Sequence, residues 1–183
     1  LVNFSVPSDP VSLLFGTKIA STYVQPCLGG DLALIYGIMK RLKEMHALER
    51  GDTPEPIVDE EFLANHTQGW DALAERLESL SWDEIVEKSG VGKEEINDIT
   101  AQYAASKRAV FSWTMGVTHH LHGSATVQAI AQLALMRRMI GRPGAGLQPI
   151  RGHSNIQGMG TVGVTPKLKE TIVERRASEL GVT

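Results

Sequence analysis

An α/β fold is predicted by two short β-forming runs that each pass through glycine into an apolar helix, and by a block of helical periodicity between them. A composition of 42% hydrophobic and 21% charged residues supports a packed core. The 183 residues suffice for one domain or parts of two.

Residues 1–16 are rich in Pro and Ser, with an apolar knot at 11–15, and predict an extended connector with one turn of helix. Residues 18–26, with Ile19, Tyr23 and Val24, have strand character and run into Leu28-Gly29-Gly30-Asp31. Asp31 is placed to cap the helix beginning at Leu32, because its carboxylate can accept from free N–H groups of the first turn. Leu32, Ile35, Met39 and Leu42 repeat at helical spacing, and Leu34 and Ile38 widen the stripe.

Charge, Gly and Pro break the pattern at 49–56, after which short acidic surface helices are expected near 60–65 and 71–80. Ser81-Trp82-Asp83-Glu84 fits a capping box, Ser81 and Glu84 each satisfying the other's N–H, and Gly90 and Gly92 end that helix. A longer helix over 93–106 carries Ile96, Ile99 and Tyr103 on one face. None of this block suggests chemistry.

Residues 109–113 suit a buried strand, 114–118 a loop, and 124–140 an apolar helix. Strand, glycine loop and helix form the unit that presents backbone N–H groups and a positive helix end to phosphate. Gly and Pro then recur without a period over 141–163, and so long a polar loop inside a folded chain is usually functional. Pro166 opens a last amphipathic helix.

Several function classes drop out on composition. A net charge of −3 gives no general attraction to nucleic acid or anionic membrane, and no apolar run approaches the roughly 20 residues of a membrane span. There is no P-loop, and no G-x-G-x-x-G follows a strand; Gly144 and Gly146 read as turn residues. Cys27, the single cysteine, excludes an intrachain disulfide and any site built from several thiolates, and reads as a small buried or half-buried hydrophobe. His119, His120 and His122 offer at most one pair on a common face with no carboxylate following, which weighs against a metal. Arg151 with His153 is more suggestive, since a fixed guanidinium can bind an anion and an imidazole can move a proton. The chain starts without Met or a signal-peptide pattern and is read as the interior of a longer one.

Met115-Gly116-Val117-Thr118, the helix from Ser124, Gly141-Arg142-Pro143-Gly144-Ala145-Gly146, and Pro149-Ile150-Arg151-Gly152-His153-Ser154-Asn155-Ile156-Gln157-Gly158 occur in this order. Together they resemble the molybdopterin oxidoreductase alpha subunits similar to formate dehydrogenase, and Gly29-Gly30-Asp31-Leu32-Ala33-Leu34 resembles that family's glycine-aspartate turn. The resemblance implies a Rossmann-like cofactor-binding domain over 1–153, including the helical segment 32–106, joined to the start of a second α/β domain at 154–183. It implies a bis-molybdopterin guanine dinucleotide with molybdenum or tungsten, which needs backbone N–H groups for its phosphates and carboxylates for its guanine edges. Gly30, Asp31, Met115, Gly116, Val117, Thr118, His119 and Gly152 are the cofactor-binding residues so implied, Asp31 accepting from guanine or ribose as an alternative to its capping role. Arg151 matches the family's arginine beside the metal, and with His153 is assigned to catalysis. No metal ligand falls in this chain, and an iron–sulfur cluster would draw on residues outside it. Relatives that oxidise formate have glutamine at the positions of His119 and His153, so another small anion is an equal candidate substrate. The expected setting is cytoplasmic, with the remainder of the same polypeptide as partner. Two other readings stand beside it: a metal-free binding or scaffold module of the same fold, and a helical interaction domain using the acidic block.

Overall fold

The computed structural model describes residues 2–3, 20–49, 55–164 and 170–181. The expected connector at 4–16, the start of the first strand at 18–19, and Pro166 lie outside these. The described residues form a mostly helical α/β arrangement in two compact units, Leu1–Ile150 and Arg151–Thr183.

In the first unit, β1 (Val2–Asn3) pairs in parallel with β2 (Thr22–Tyr23). Helix α1 (Asp31–His46) follows, then α2 (Glu60–His66), α3 (Trp70–Ser79), α4 (Trp82–Ser89) and α5 (Lys93–Ala105). Strand β3 (Val110–Trp113) leads through the one-turn helix α6 (Met115–Thr118) into α7 (Gly123–Met136), and β4 (Gly146–Pro149) closes the unit. The β3–α7–β4 segment is a parallel crossover with Val110 opposite Gly146 and Trp113 opposite Pro149. The two strand pairs are separate two-stranded sheets, so a single wider Rossmann-type sheet is not seen among the described residues.

Helix α1 is the hub because its apolar stripe is wide: Leu34, Ile35, Ile38, Met39 and Leu42 are all buried, against α4, α5 and α7. Gly37 lets two helices approach it closely, since a Cβ there would stand 2.8 Å from Ile85 Cγ2 and 3.3 Å from Ile96 Cδ1. Ile85, Ile96, Leu77 and Met136 complete the core.

The helix caps divide into foreseen and unforeseen. Ser81 Oγ accepts from Glu84 N at 3.1 Å as expected. The return half of the capping box is absent, because the Glu84 carboxylate takes the Lys88 ammonium at 2.6 Å instead. That pairing holds the exposed Glu84 carboxyl below its ordinary range. Two internal cations serve helix C-termini, whose last carbonyls lack intrahelical donors. Lys40 Nζ donates to Leu77 O at 3.0 Å, at the end of α3. Arg137, 8% exposed, donates to Tyr103 O and Ser106 O at the end of α5, and to Ile57 O at 3.2 Å. Its guanidinium also lies 5.2 Å from the Tyr103 ring. Burial raises the Tyr103 phenol well above its ordinary pKa, which keeps it protonated as a donor to Leu133 O at 3.1 Å.

Four sequence expectations need correction here. Strand β3 is not buried; its residues alternate between exposed and half-buried, with Val110 56% exposed, because among the described residues β4 is its one strand neighbour. Residues 115–118 are a helical turn rather than a loop. Helix α7 stops at Met136, where Arg138 takes a left-handed φ of 50° and Met139 N donates back to Ala134 O. The supposedly irregular 141–163 segment holds β4 and, in the second unit, α8 (Ile156–Thr161); α9 (Glu170–Leu180) follows and buries none of its residues. No helix among the described residues is long and apolar enough to cross a membrane.

Candidate functional site

The turn after β2 is strapped to the end of α4. Cys27 N donates to Ser89 O at 2.8 Å, Cys27 Sγ donates to Lys88 O at 3.1 Å, and Gly30 N closes the turn on Cys27 O at 2.8 Å. Cys27 is therefore not a buried hydrophobe: it is exposed, unpaired with sulfur, and satisfies C-terminal carbonyls of a neighbouring helix. Gly30 is required by this approach, because a Cβ there would stand 2.8 Å from both the Lys88 and Ser89 carbonyl oxygens. Gly30→Ala should force the strap off α4 at a cost of about 1–3 kcal/mol, the range for overpacking a tight contact. A thermal melt of the variant that overlays the parent's would show that the strap gives way freely.

Asp31 is the first residue inside α1, not its cap. The capping position belongs to Gly30, with no side-chain hydrogen bond, and the Asp31 carboxylate takes none among the described residues. It sits where a negative charge meets the positive end of the helix. The N–H groups of this first turn have no intrahelical acceptor.

The second glycine-bearing turn lies beside the first. A Cβ on Gly29 would be 3.8 Å from His120 Nδ1, and the His120 carbonyl accepts from Gly123 N, the first residue of α7, at 3.0 Å. The amino ends of α1 and α7, sixteen and fourteen residues long, thus open at one end of the unit. This is also the end from which β3 delivers its carboxyl terminus. In the chain just ahead of α7 are Met115, Gly116, Thr118 and His119, exposed, with Val117 half-buried against the core. Thr118 Oγ1 donates to Met115 O at 3.2 Å, so its hydroxyl proton is committed to the turn. A side chain at Gly116 would meet nothing within 4 Å. Leu28 and Leu121 stand 99% and 93% exposed on the same two turns, a strongly apolar rim for a site that offers backbone donors.

Arg151, Gly152 and His153 belong to the second unit, where all three are exposed. The chain reaches them directly from β4, whose pairing continues one residue further through Ile150 N to Trp113 O at 2.8 Å. Asn155 in a left-handed conformation then starts α8.

Among the described residues no three His, Cys, Asp or Glu side chains are grouped to hold a metal ion. The structure adds two residues to which the sequence assigns no place at the site. His120 carries no mark in the spacing that separates it from His119, and its place beside Gly29 emerges only in three dimensions. Cys27 is legible only as a residue type, since its side-chain partner Lys88 lies 61 residues away on α4.

The family model described as molybdopterin oxidoreductase matches residues 93–182. Along its whole length the chain is 37% identical to protein YdeP of Escherichia coli, of which it covers 24%, and 39% identical to an uncharacterized oxidoreductase of Mycobacterium tuberculosis, of which it covers 23%. Over 82% of the chain it is 32% identical to a formate dehydrogenase subunit alpha of Methanococcus maripaludis, covering 21% of that protein. The chain thus spans about a quarter of the length of these curated relatives. Among solved structures, acetylene hydratase from Pelobacter acetylenicus shares the fold at a TM-score of 0.63 and 17% identity, over 78% of this chain and 18% of that one. The chain thus matches the molybdopterin oxidoreductase family over residues 93–182, and along its entire length it aligns with relatives of which it spans about a quarter.

Proposed function

We propose that this chain supplies part of the pocket for a bis-molybdopterin guanine dinucleotide in a cytoplasmic, formate dehydrogenase-like oxidoreductase, and that it is inactive without the rest of that polypeptide. The supporting observation is the meeting of two helix amino ends through Gly29 and His120, which directs unpaired backbone N–H groups and two helix dipoles to one place. The residues present fit such a group. The first turns of α1 and α7 suit pyrophosphate, Met115 to His119 and the rim of Leu28 and Leu121 suit the flat pterin, and Asp31 has a free carboxylate for a guanine edge or ribose hydroxyl. When bound, the cofactor supplies the two-electron redox centre.

Arg151 in this reading holds an anionic substrate and stabilises its developing charge, and His153 orients the substrate or accepts its proton. Gly152 lets the backbone between them approach the cofactor. The two parallel strand pairs are parts of Rossmann-like sheets completed elsewhere in the polypeptide, with the change of domain at His153. An iron–sulfur cluster needs thiolates beyond the single Cys27.

Gly116 gives a clean test, because the protein itself leaves room for a side chain there. Gly116→Val in the full-length protein should keep the parent's melting temperature without cofactor, since Val is no worse than Gly in a helical turn. Its pterin content, read by fluorescence of the released and oxidised cofactor, should fall several-fold. Full pterin content would remove this loop from the pocket.

A further inference from the structure

From Ile99 to Lys169 the sequence contains no Asp or Glu, although the whole chain carries 21 acidic residues and a net charge of −3. Lys and Arg continue through that stretch, and the fold brings three of them, Lys107, Arg108 and Arg142, to the amino ends of β3 and β4, the opposite end of those strands from the proposed cofactor site, with a fourth, Arg138, in the turn that leads to β4. Lys107 and Arg108 immediately precede β3. Arg138 and Arg142 lie in the turn between α7 and β4. Arg142 Nη1 donates to Lys107 O at 2.7 Å, and Arg108 Cδ lies 3.2 Å from where a Cβ on Gly144 would sit, so the two strand entrances are held together. Arg138 reaches the other way, its guanidinium 5.6 Å from the Phe62 ring centroid.

None of these four cations has a carboxylate partner among the described residues, whereas Arg41, Lys43, Lys88, Arg175 and Arg176 are all paired. Below them Arg137 adds a buried fifth charge whose hydrogen bonds go to carbonyls alone. Nearby carboxylates are few: Glu49 is engaged by His46 at 2.5 Å and by Ile57 N, and Glu55 is exposed. A concentration of unpaired like charge costs self-repulsion, and a counter-charge supplied from outside relieves it.

We propose that this end of the first unit is a docking surface for an acidic protein segment, independently of the function proposed above. Arginine predominates over lysine, as at protein interfaces, where a guanidinium fork matches carboxylates. Val110 and Ile140, 56% and 36% exposed, adjoin Arg108 and Arg142 in the chain and supply an apolar contact among the cations. A nucleic acid is disfavoured by the chain's net negative charge and the lack of an exposed aromatic among these residues. A membrane surface is disfavoured because the cations sit on strand ends and a turn, not along an amphipathic helix.

The test uses the full-length protein and a fluorescein-labelled polyglutamate peptide, with binding read by anisotropy. The parent should bind at low salt and release the peptide as ionic strength rises past the range where the Debye length falls to about 8–10 Å. The double substitution Lys107→Glu with Arg108→Glu, and separately Arg138→Gln, should each weaken binding, the double by about tenfold or more. If the double variant does not fold, Arg138→Gln, which touches neither strand entrance, decides the matter. Equal binding by parent and folded variants, or no binding by the parent at low salt, would overturn the proposal. So would capture of phosphatidylserine vesicles or inorganic pyrophosphate through these residues while polyglutamate is left free.

Discussion

Arg137→Met should lower stability by about 2–4 kcal/mol and strip amide protection first from the carboxyl ends of α5 and α7. The guanidinium of Arg137 satisfies three backbone carbonyls, Ile57, Tyr103 and Ser106, none of them in α7, whose carboxyl end Arg137 itself follows. Each charge-assisted bond is worth roughly 1.5–3 kcal/mol, and carbonyls left buried without donors carry their own penalty. Acting against this, the parent bears the cost of a cation taken out of water with no carboxylate beside it, and burial does pull the guanidinium below its ordinary pKa. The bonds should win, because the positive charge also faces the negative end of the α5 dipole. Arg137→Lys keeps the charge but cannot span three carbonyls, so it should recover less than half of the loss. Hydrogen exchange across α5 and α7, alongside thermal melts of the full-length protein, checks both variants. A Met variant as stable as the parent would mean the desolvation cost cancels the three bonds.

Arg151→Lys should leave molybdenum content intact while cutting kcat/KM for an anionic substrate by about 10²-fold, the scale of one lost preorganised electrostatic contact. The expectation rests on the proposed role of Arg151 and on chemistry: a carboxylate leaving water needs a planar, permanently charged fork, which an ammonium replaces only as a point charge. Arg151 is exposed and takes no ion-pair partner among the described residues, so its substitution should disturb little else. Elemental analysis beside the kinetics separates the roles. If the Lys variant loses metal in proportion to activity, Arg151 holds the cofactor and not the substrate.

The helices were legible because burial and capping write themselves at fixed spacing. The stripe on α1 and the Ser81 cap were read residue by residue from period and type. The strands were harder: β3 carries an apolar run that reads as buried, yet its exposure depends on how many strands flank it, which no local pattern records. β4, Gly146-Leu147-Gln148-Pro149, lacks strand propensity and forms because β3 offers it a parallel edge. At the candidate site the glycine turns and Arg151 were found by motif. The adjacency of Gly29 and His120 was not, since it depends on where two turns ninety residues apart finish in space. The basic end is illegible in sequence for a related reason: Lys107 and Arg108 are more than thirty residues from Arg142 and adjoin it only when two strand entrances are brought together.

Helix α1 is about 24 Å long at 1.5 Å per residue, and it is gripped along most of that length by buried side chains. At one tip it carries the Gly30 strap; beyond the other, Glu49 binds the Ile57 amide, whose carbonyl Arg137 holds. Interiors packed this tightly pass strain on instead of absorbing it. The helix therefore behaves as a stiff pushrod, and a small displacement imposed at the Arg137 end would arrive as a comparable displacement of Gly29 and Asp31, with the attitude of the α1 dipole changed and no bond at that end broken.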